Sequence, residues 1–441
     1  MKKHIGKTAM AVILQAAMMA GSILGCGMVG NAEEADDTYT GAVYEDVTGT
    51  VKIWIFGDYE NKLVDEFNKM YPNVEVDFLL VDGSEFSKKL QTLISSEDYS
   101  ELPDVVSLEA VTRGQLINLD IWEVLDAEPY NVNQEDLLDM IIPKVTNDKG
   151  ELVCLPIDNS VGNVYYKRDL AEKYLGTSDP EELAERFQTW EDYYELATEL
   201  SGKMDAEEYL MAGATELLIP MMNQVKDAAV QDEKFVAQEE YQEIIAFANK
   251  MQKTGVMGQM EVDSSAYWAS TELNNVLFYP AAAWFVPDII QQGSDELRGN
   301  WGVIPAPDGG FNIGGTACAI PSTSENKEAA FAWLHYLSLT MEGSAAWRDI
   351  NNVMNCNKEA FETDGFYDSE NEWFGDQSVG AVQQQSAKDT PGAMPLTKYD
   401  SAIRNALIQA SVKIMNEDVA DEEVYEVFLN NLYSTVPELE P

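Results

Sequence analysis

The sequence predicts an α/β protein built of more than one body, and three observations carry that prediction. Strands and helices alternate as β-α-β-α-β over residues 51–108, the pattern of a parallel sheet with right-handed crossovers. At 441 residues the chain is far too long for one small core, so two or three domains are expected. Residues 151–170, ELVCLPIDNSVGNVYYKRDL, place two apolar strands, 152–157 and 161–166, on either side of Asp158-Asn159-Ser160. Such a polar step forms either a hairpin or a passage from one sheet to another, and taken alone it favours the hairpin.

The N-terminus is not part of those bodies. Lys2, Lys3 and Lys7 precede an apolar run over 8–24, which makes residues 1–25 an export signal. The run is marginal for a bilayer-spanning helix, which needs about 20 such residues. Ile23-Leu24-Gly25-Cys26 resembles a lipobox, in which the cysteine is diacylated and becomes the new N-terminus. It departs from that pattern at Ile23, where Leu is usual, and at the bulky Leu24, where a small residue is usual. Ordinary cleavage after Gly30-Asn31-Ala32 is the alternative. An acylated Cys26 would hold the chain to the outer face of the membrane by lipid. Residues 25–30 match G-x-G-x-x-G, but no strand precedes them and they straddle the cleavage region, so they are no dinucleotide site. Residues 31–50 hold six acids and no Lys or Arg, and 26–48 read as an acidic flexible tether.

A formal charge of −49 excludes nucleic acid as a partner, because phosphate binding needs clustered Lys and Arg. The acidity reads as solubility. Beyond Cys26 there remain Cys154, Cys318 and Cys356, with no C-x-x-C and only His335 beside them, so no zinc or other metal site is expected. An odd count leaves at least one free thiol. Cys154 and Cys318 could pair if both lie on strands beside the polar step, and buried free cysteines are the plainer expectation.

In the first part of the chain, strand 51–56 is apolar on nearly both faces and ends at Gly57-Asp58. A helix over 60–70 aligns Leu63, Val64, Phe67 and Met70 and stops before Pro72. Strand 74–81, a helix aligning Phe86, Leu90, Leu93 and Ile94, and strand 104–108 complete the unit. In such sheets ligands sit at the carboxyl ends of strands, so Asp58 and Glu109 are candidate ligand contacts as well as candidate helix caps.

The segment LPIDNSVGNVYYKRDLAEKYLG resembles the crossover segment of bacterial extracellular solute-binding proteins, the sugar-binding subunits of ABC importers. VKIWIFGDYENKLVDEFNKMYPNVEV and PDVVSLEAVTRGQLINLD are similar to the opening segments of that family, whose loops there face a cleft. The resemblance implies a two-lobed clamshell like that of the periplasmic binding proteins, each lobe a mainly parallel sheet flanked by helices, joined by hinge crossovers. It divides the chain into lobe 1, residues 49–157 and 314–358, and lobe 2, residues 158–313 and 359–441.

In the second part, helix 168–175 closes at Gly176, and Thr189-Trp190-Glu191-Asp192 opens the next helix with a capping box. Trp190 is a packing residue there, and the stripe Tyr241, Ile244, Ile245, Ala248, Met251 is core. Strand 281–286 ends in Trp284-Phe285 before Pro287. Trp284 and Trp268 are candidate sugar platforms, since the C–H face of a pyranose stacks on an aromatic ring while carboxylates and amides bond its hydroxyls. Strand 300–305 is followed by Pro305, Pro307, Gly309, Gly310, Gly314 and Gly315 before strand 316–320, which the resemblance makes the second crossover. Helix 324–339 turns Ala330, Leu334 and Leu337 inward and leaves His335 solvated or satisfied. The helix over 342–350 with Trp347, the loop 372–377 with Trp373, and closing helices over 401–415 and 421–433 complete the chain. Asp400 caps the first of these or reaches the ligand.

No G-x-S-x-G elbow, Walker loop or H-E-x-x-H is present, and a binding protein needs none. The expectation is a sugar or oligosaccharide caught between two lobes and passed to the transmembrane subunits of an ABC permease, by a lipid-anchored extracellular monomer without cofactor or catalysis. The ligand set is Trp54, Asp58, Glu109, Asp158, Asn159, Trp268, Trp284, Gly314, Gly315, Trp347, Trp373 and Asp400. An exported carbohydrate-active hydrolase, which needs only two carboxylates, and a binder of a non-sugar solute are the alternatives.

Overall fold

A computed structural model of the chain describes residues 42–55, 59–81, 83–96, 98–99, 101–390, 392 and 395–439. The export signal, Cys26, most of the expected tether, the loop bearing Asp58 and the Ile94 side chain lie outside what is described. The described end of the tether is docked: Tyr44 stacks on Tyr71 with ring centroids 5.0 Å apart, and its amide donates to the Met70 carbonyl at 2.8 Å.

The chain begins with β1 (Gly49–Ile55), a 3-10 turn (Glu60–Leu63) and α1 (Val64–Met70). Leu63, Phe67 and Met70 are buried at helical spacing, while the intervening charges stay outside. β2 (Val74–Leu80), α2 (Gly83–Ser96), β3 (Val105–Glu109) and α3 (Ala110–Leu116) follow, and the chain then runs through turns to the two-residue β4 (Leu155–Pro156). Beyond it come β5 (Gly162–Lys167) and α4 (Arg168–Leu175), which ends at Gly176 with φ +75°, a left-handed cap that suits glycine. α5 (Pro180–Arg186) starts at Asp179, whose carboxylate accepts from the Glu181 and Glu182 amides. α6 (Trp190–Leu200) opens on the expected capping box between Thr189 and Asp192.

Next are β6 (Tyr209–Met211), α7 (Thr215–Met222), the small hairpin β7 (Val230–Gln231) and β8 (Lys234–Phe235), α8 (Gln238–Gln252), α9 (Ser265–Leu273), β9 (Val276–Ala282) and α10 (Phe285–Gln292). β10 (Trp301–Pro305), β11 (Thr316–Ala319), α11 (Lys327–Leu339), α12 (Met341–Asn351) and α13 (Lys358–Glu362) return the chain. The last elements are β12 (Glu370–Asn371), β13 (Gln377–Ser378), α14 (Val379–Asp389), α15 (Asp400–Asn416) and α16 (Asp421–Thr435). Trp284 therefore stands at the N-cap of α10 and not at the end of a strand over 281–286, and Pro287 sits in the first turn of that helix, where its missing N–H leaves no bond unmade.

Two sheets organise these elements, one ordered β2-β1-β3-β11-β4 and one ordered β10-β5-β9-β6. β4 and β5 belong to different sheets, so the step at Asp158-Asn159-Ser160 is a passage between sheets and not a hairpin. β1 pairs in parallel with β2 and β3, but β11 runs antiparallel to both β3 and β4. In the second sheet only β6 and β9 are parallel, and β5 is antiparallel to both neighbours. The two-lobed architecture is as expected, while the strand directions are mixed and not mainly parallel, because β11 in the first sheet and β5 in the second run against the other strands.

Each sheet is covered by its own apolar cluster. Phe67 meets the Trp333 and Tyr336 rings edge-on against the first sheet, and Trp333 also meets Phe78. Leu196, Phe278, Ile245, Leu407 and Phe428 share one core under the second sheet, built by α6, α8, α15 and α16. Burial of this kind stabilises at roughly 25 cal/mol per Å² of apolar surface. α13 lies with the first sheet's side of the chain, since Leu137 bridges Asn357 and Lys358 is ion-paired to Asp139 at 2.8 Å.

Candidate functional site

The two passages between sheets run side by side. The Ile157 amide donates to the Thr316 carbonyl at 3.0 Å, the Ile313 amide to the Ser160 carbonyl at 3.0 Å, and the Gly162 amide to the Phe311 carbonyl at 2.7 Å. Asp158 holds them together: its carboxylate accepts from the Thr316 amide at 2.6 Å and from Ser160 Oγ at 2.8 Å. Burial raises its pKa, and those two bonds act against the rise. Gly314 and Gly315, at φ +85° and +89°, turn the second passage through a region that β-carbons disfavour.

Behind the passages lies a buried polar chain. Lys144 Nζ donates to Asn312 Oδ1 at 2.8 Å, and Asn312 Nδ2 donates to Asn159 Oδ1 at 3.1 Å. Arg113, fully buried, donates to the Leu108 carbonyl at 2.8 Å and to the Gly315 carbonyl. Burial, with Arg113 near, pushes the Lys144 ammonium down to about 8. Cys154, Cys318 and Cys356 are all free and buried, and burial raises each thiol, so none is set up as a nucleophile.

In front of the passages opens a cavity of about 280 Å³. Glu109, Asp158, Trp268, Trp284, Gly314, Gly315 and Trp347 line it, so seven residues picked from sequence meet around one space. A second cavity of about 400 Å³ adjoins it, sharing Val111, Ile313, Gly314 and Arg404, and Asp400 lines that one. Asp400 accepts from the Thr397 amide at 2.8 Å and from Thr397 Oγ1 at 2.6 Å, bracing the turn before α15. Glu109 is at the N-cap of α3 but makes no capping bond, which leaves its carboxylate for the cavity.

Three picks are elsewhere. Trp54 is buried beneath α2, with Lys89 Nζ 3.8 Å from its ring centroid, because its side of β1 faces the helix layer. Asn159 is wholly buried in the polar chain behind the cavity. Trp373 is buried in the apolar cluster beside β10, with the Arg298 guanidinium 5.0 Å from its ring centroid.

Among the wall residues that escaped the sequence reading are Tyr59, Glu60, Asp263, Asp288, Asn351 and Arg404. A signal existed for three of them. Asp288 follows Trp284, Asn351 follows Trp347 and Arg404 follows Asp400 at a spacing of four, which stacks both members of a pair on one helix face. Trp284 Nε1 donates to the Ile313 carbonyl at 3.1 Å, tying the platform to the second passage. Burial pushes the Glu60 carboxyl up to about 7 despite the 2.9 Å bond it accepts from Ser107 Oγ. Burial likewise raises Glu109, opposed by Arg404 and Arg113, and raises Asp288, opposed by the Tyr59 hydroxyl.

Residues 62–372 match the family described as bacterial extracellular solute-binding protein. The chain belongs to that family. As a solute-binding protein it also resembles solved structures over nearly their whole length. One extracellular solute-binding protein of family 1 is 18% identical, covering 87% of this chain and 99% of that one at a TM-score of 0.77. The sugar-binding protein MalE of Xanthomonas citri is 18% identical, with 88% and 98% covered and a TM-score of 0.68. An ABC transporter binding protein of B. animalis subsp. lactis, solved with beta-1,6-galactobiose, is 16% identical, with 89% and 98% covered and a TM-score of 0.71. At these identities the likeness is one of fold. Among the described residues no group of three His, Cys, Asp or Glu is placed to hold a metal, and no described helix is long and apolar enough to cross a membrane.

Proposed function

We propose that this solute-binding protein captures a sugar or oligosaccharide between its two sheets and hands it to the transmembrane subunits of an ABC permease. The observation that carries this is the makeup of the smaller cavity: Trp268, Trp284 and Trp347 supply ring faces, and Glu109, Asp263 and Asp288 supply acceptors around one space. Glu109 comes from the five-stranded sheet and Asp288 from the helix after β9 of the other. A solute touching both walls favours closure about the paired passages at Asp158 and Gly315. The lobes divide near those passages, with Cys26 acylated and the chain a monomer on the extracellular face of the membrane. Similar folds solved with galactobiose and with lacto-N-biose support the saccharide class.

Thermal-shift screening of the exported chain against mono- and oligosaccharides tests this, since a ligand at a hundredfold its dissociation constant adds about 2.7 kcal/mol. Saccharide-dependent stabilisation without released reducing ends is the expected result. Release of reducing ends would turn the assignment to a hydrolase.

A further inference from the structure

Resting on the saccharide reading of the smaller cavity, we propose that its solute carries an ammonium group: an amino sugar, or a saccharide containing one. Among the described residues five carboxylates line the cavity, from Glu60, Glu109, Asp158, Asp263 and Asp288, against a single cation, Arg404. Asp158 is committed to the passages, while Glu60 gives one oxygen to Ser107 and Asp288 one to Tyr59, which leaves Glu109, Asp263, the second oxygen of Asp288 and the unpartnered Glu60 Oε2 for the solute.

The donors are fewer. Trp284 Nε1 is used by the Ile313 carbonyl, the Tyr59 hydroxyl by Asp288 and one Asn351 N–H by the Tyr59 carbonyl, so the side-chain donors that remain are Arg404, the Trp347 indole, the Thr316 hydroxyl and the second Asn351 N–H. Trp347 is 4% exposed and Asn351 1%, and both line this cavity. Trp347 Nε1 and Asn351 Oδ1 are buried without a hydrogen-bond partner, polar atoms that a solute would satisfy. A wall so rich in acceptors suits a guest rich in donors. A sugar hydroxyl both donates and accepts, whereas an ammonium has three donors and no acceptor. The rings of Tyr59, Trp268, Trp284 and Trp347 add faces that attract a cation. Desolvated Glu109 and Asp288, held above the usual carboxylate range, gain more from a cation than solvated carboxylates do.

The test is a melting-temperature screen of the exported chain with matched pairs at equal concentration: glucosamine and glucose, galactosamine and galactose, fully deacetylated chitobiose and cellobiose, with spermidine as an amine that is no sugar. The proposal expects at least one amino saccharide to stabilise the chain and, by calorimetry, to bind about tenfold tighter than its neutral partner. It also expects Asp288→Asn and Glu109→Gln, each shown by its unliganded melt to be folded, to erase most of that preference. A neutral member binding as tightly as its amine overturns the proposal and leaves the saccharide reading standing. Stabilisation by spermidine alone overturns the proposal together with the saccharide reading on which it rests. A panel in which no amine stabilises the chain also overturns the proposal.

Discussion

Tyr59 Oη donates to Asp288 Oδ1 at 2.7 Å, joining the turn after β1 to the first turn of α10 across the smaller cavity. Because the two residues follow strands of different sheets, this bond ties the two walls of the cavity together. A hydrogen bond to a charged group is worth about 1.5–3 kcal/mol. Tyr59→Phe removes it and keeps the ring, so solute affinity falls by roughly 5- to 50-fold on the part of that energy tied to closure. Calorimetry with the solute from the saccharide screen checks this, and unchanged affinity would remove Tyr59 from the closing machinery.

Trp284 has two jobs, a ring in the cavity wall and an indole N–H on the Ile313 carbonyl. Trp284→Phe should lose the second and keep most of the first, costing about 1 kcal/mol of affinity. Trp284→Ala loses both, and Glu109→Ala removes an acceptor from the opposite wall. Each alanine variant is expected to weaken binding at least about tenfold with little change in the unliganded melt. Affinity equal to the parent in both would sink the cavity as the solute site.

Lys167 is buried in β5 with its ammonium 3.5 Å from the Trp301 ring centroid, donating to the Thr271 carbonyl at 2.7 Å. Burial pushes its pKa down to about 7. The unfolded chain holds that proton up to about 10.4, so between roughly 7 and 10 unfolding takes up a proton and stability rises with pH. Below about 7 both states are protonated and the cost of burying the charge is fully present. Lys167→Met should abolish this contribution, worth at most about 1.4 kcal/mol per pH unit. Denaturant melts of both proteins from pH 6 to about 10 should converge as pH rises if Lys167→Met is the more stable at the acid end. Parallel stability curves would show that Lys167 keeps its proton throughout.

Gly315 turns the second passage at φ +89°, and a β-carbon there would also stand 3.4 Å from Ser160 Oγ. Gly315→Ala is expected to cost about 1–2 kcal/mol. Gly162→Ala should cost more, since its β-carbon would fall 2.0 Å from the Phe311 ring in a fully buried strand. Chemical denaturation ranks the two, and a neutral Gly162→Ala would show that Phe311 can withdraw.

Much of the architecture was legible because it rests on local chemistry. The stripe Leu63, Phe67, Met70, the Thr189-Asp192 box and the Gly176 stop each act within a few residues of themselves. The strand directions were not legible, since β5 and β11 run against their sheets beside partners far away in the chain. The same distance hid Tyr59, Glu60 and Asp263, which become wall residues only when the sheets meet. Trp54 and Trp373 misled for the reverse reason: an aromatic at a strand or loop end has the same composition whether it faces a cavity or a helix layer.

Small-angle X-ray scattering of the exported chain, titrated with the solute that the saccharide screen finds, tests the central claim most directly. A clasp closing about Asp158 and Gly315 predicts a radius of gyration that falls with solute and saturates with the calorimetric occupancy. A radius unchanged at full occupancy, with Tyr59→Phe and the parent scattering alike, would contradict it.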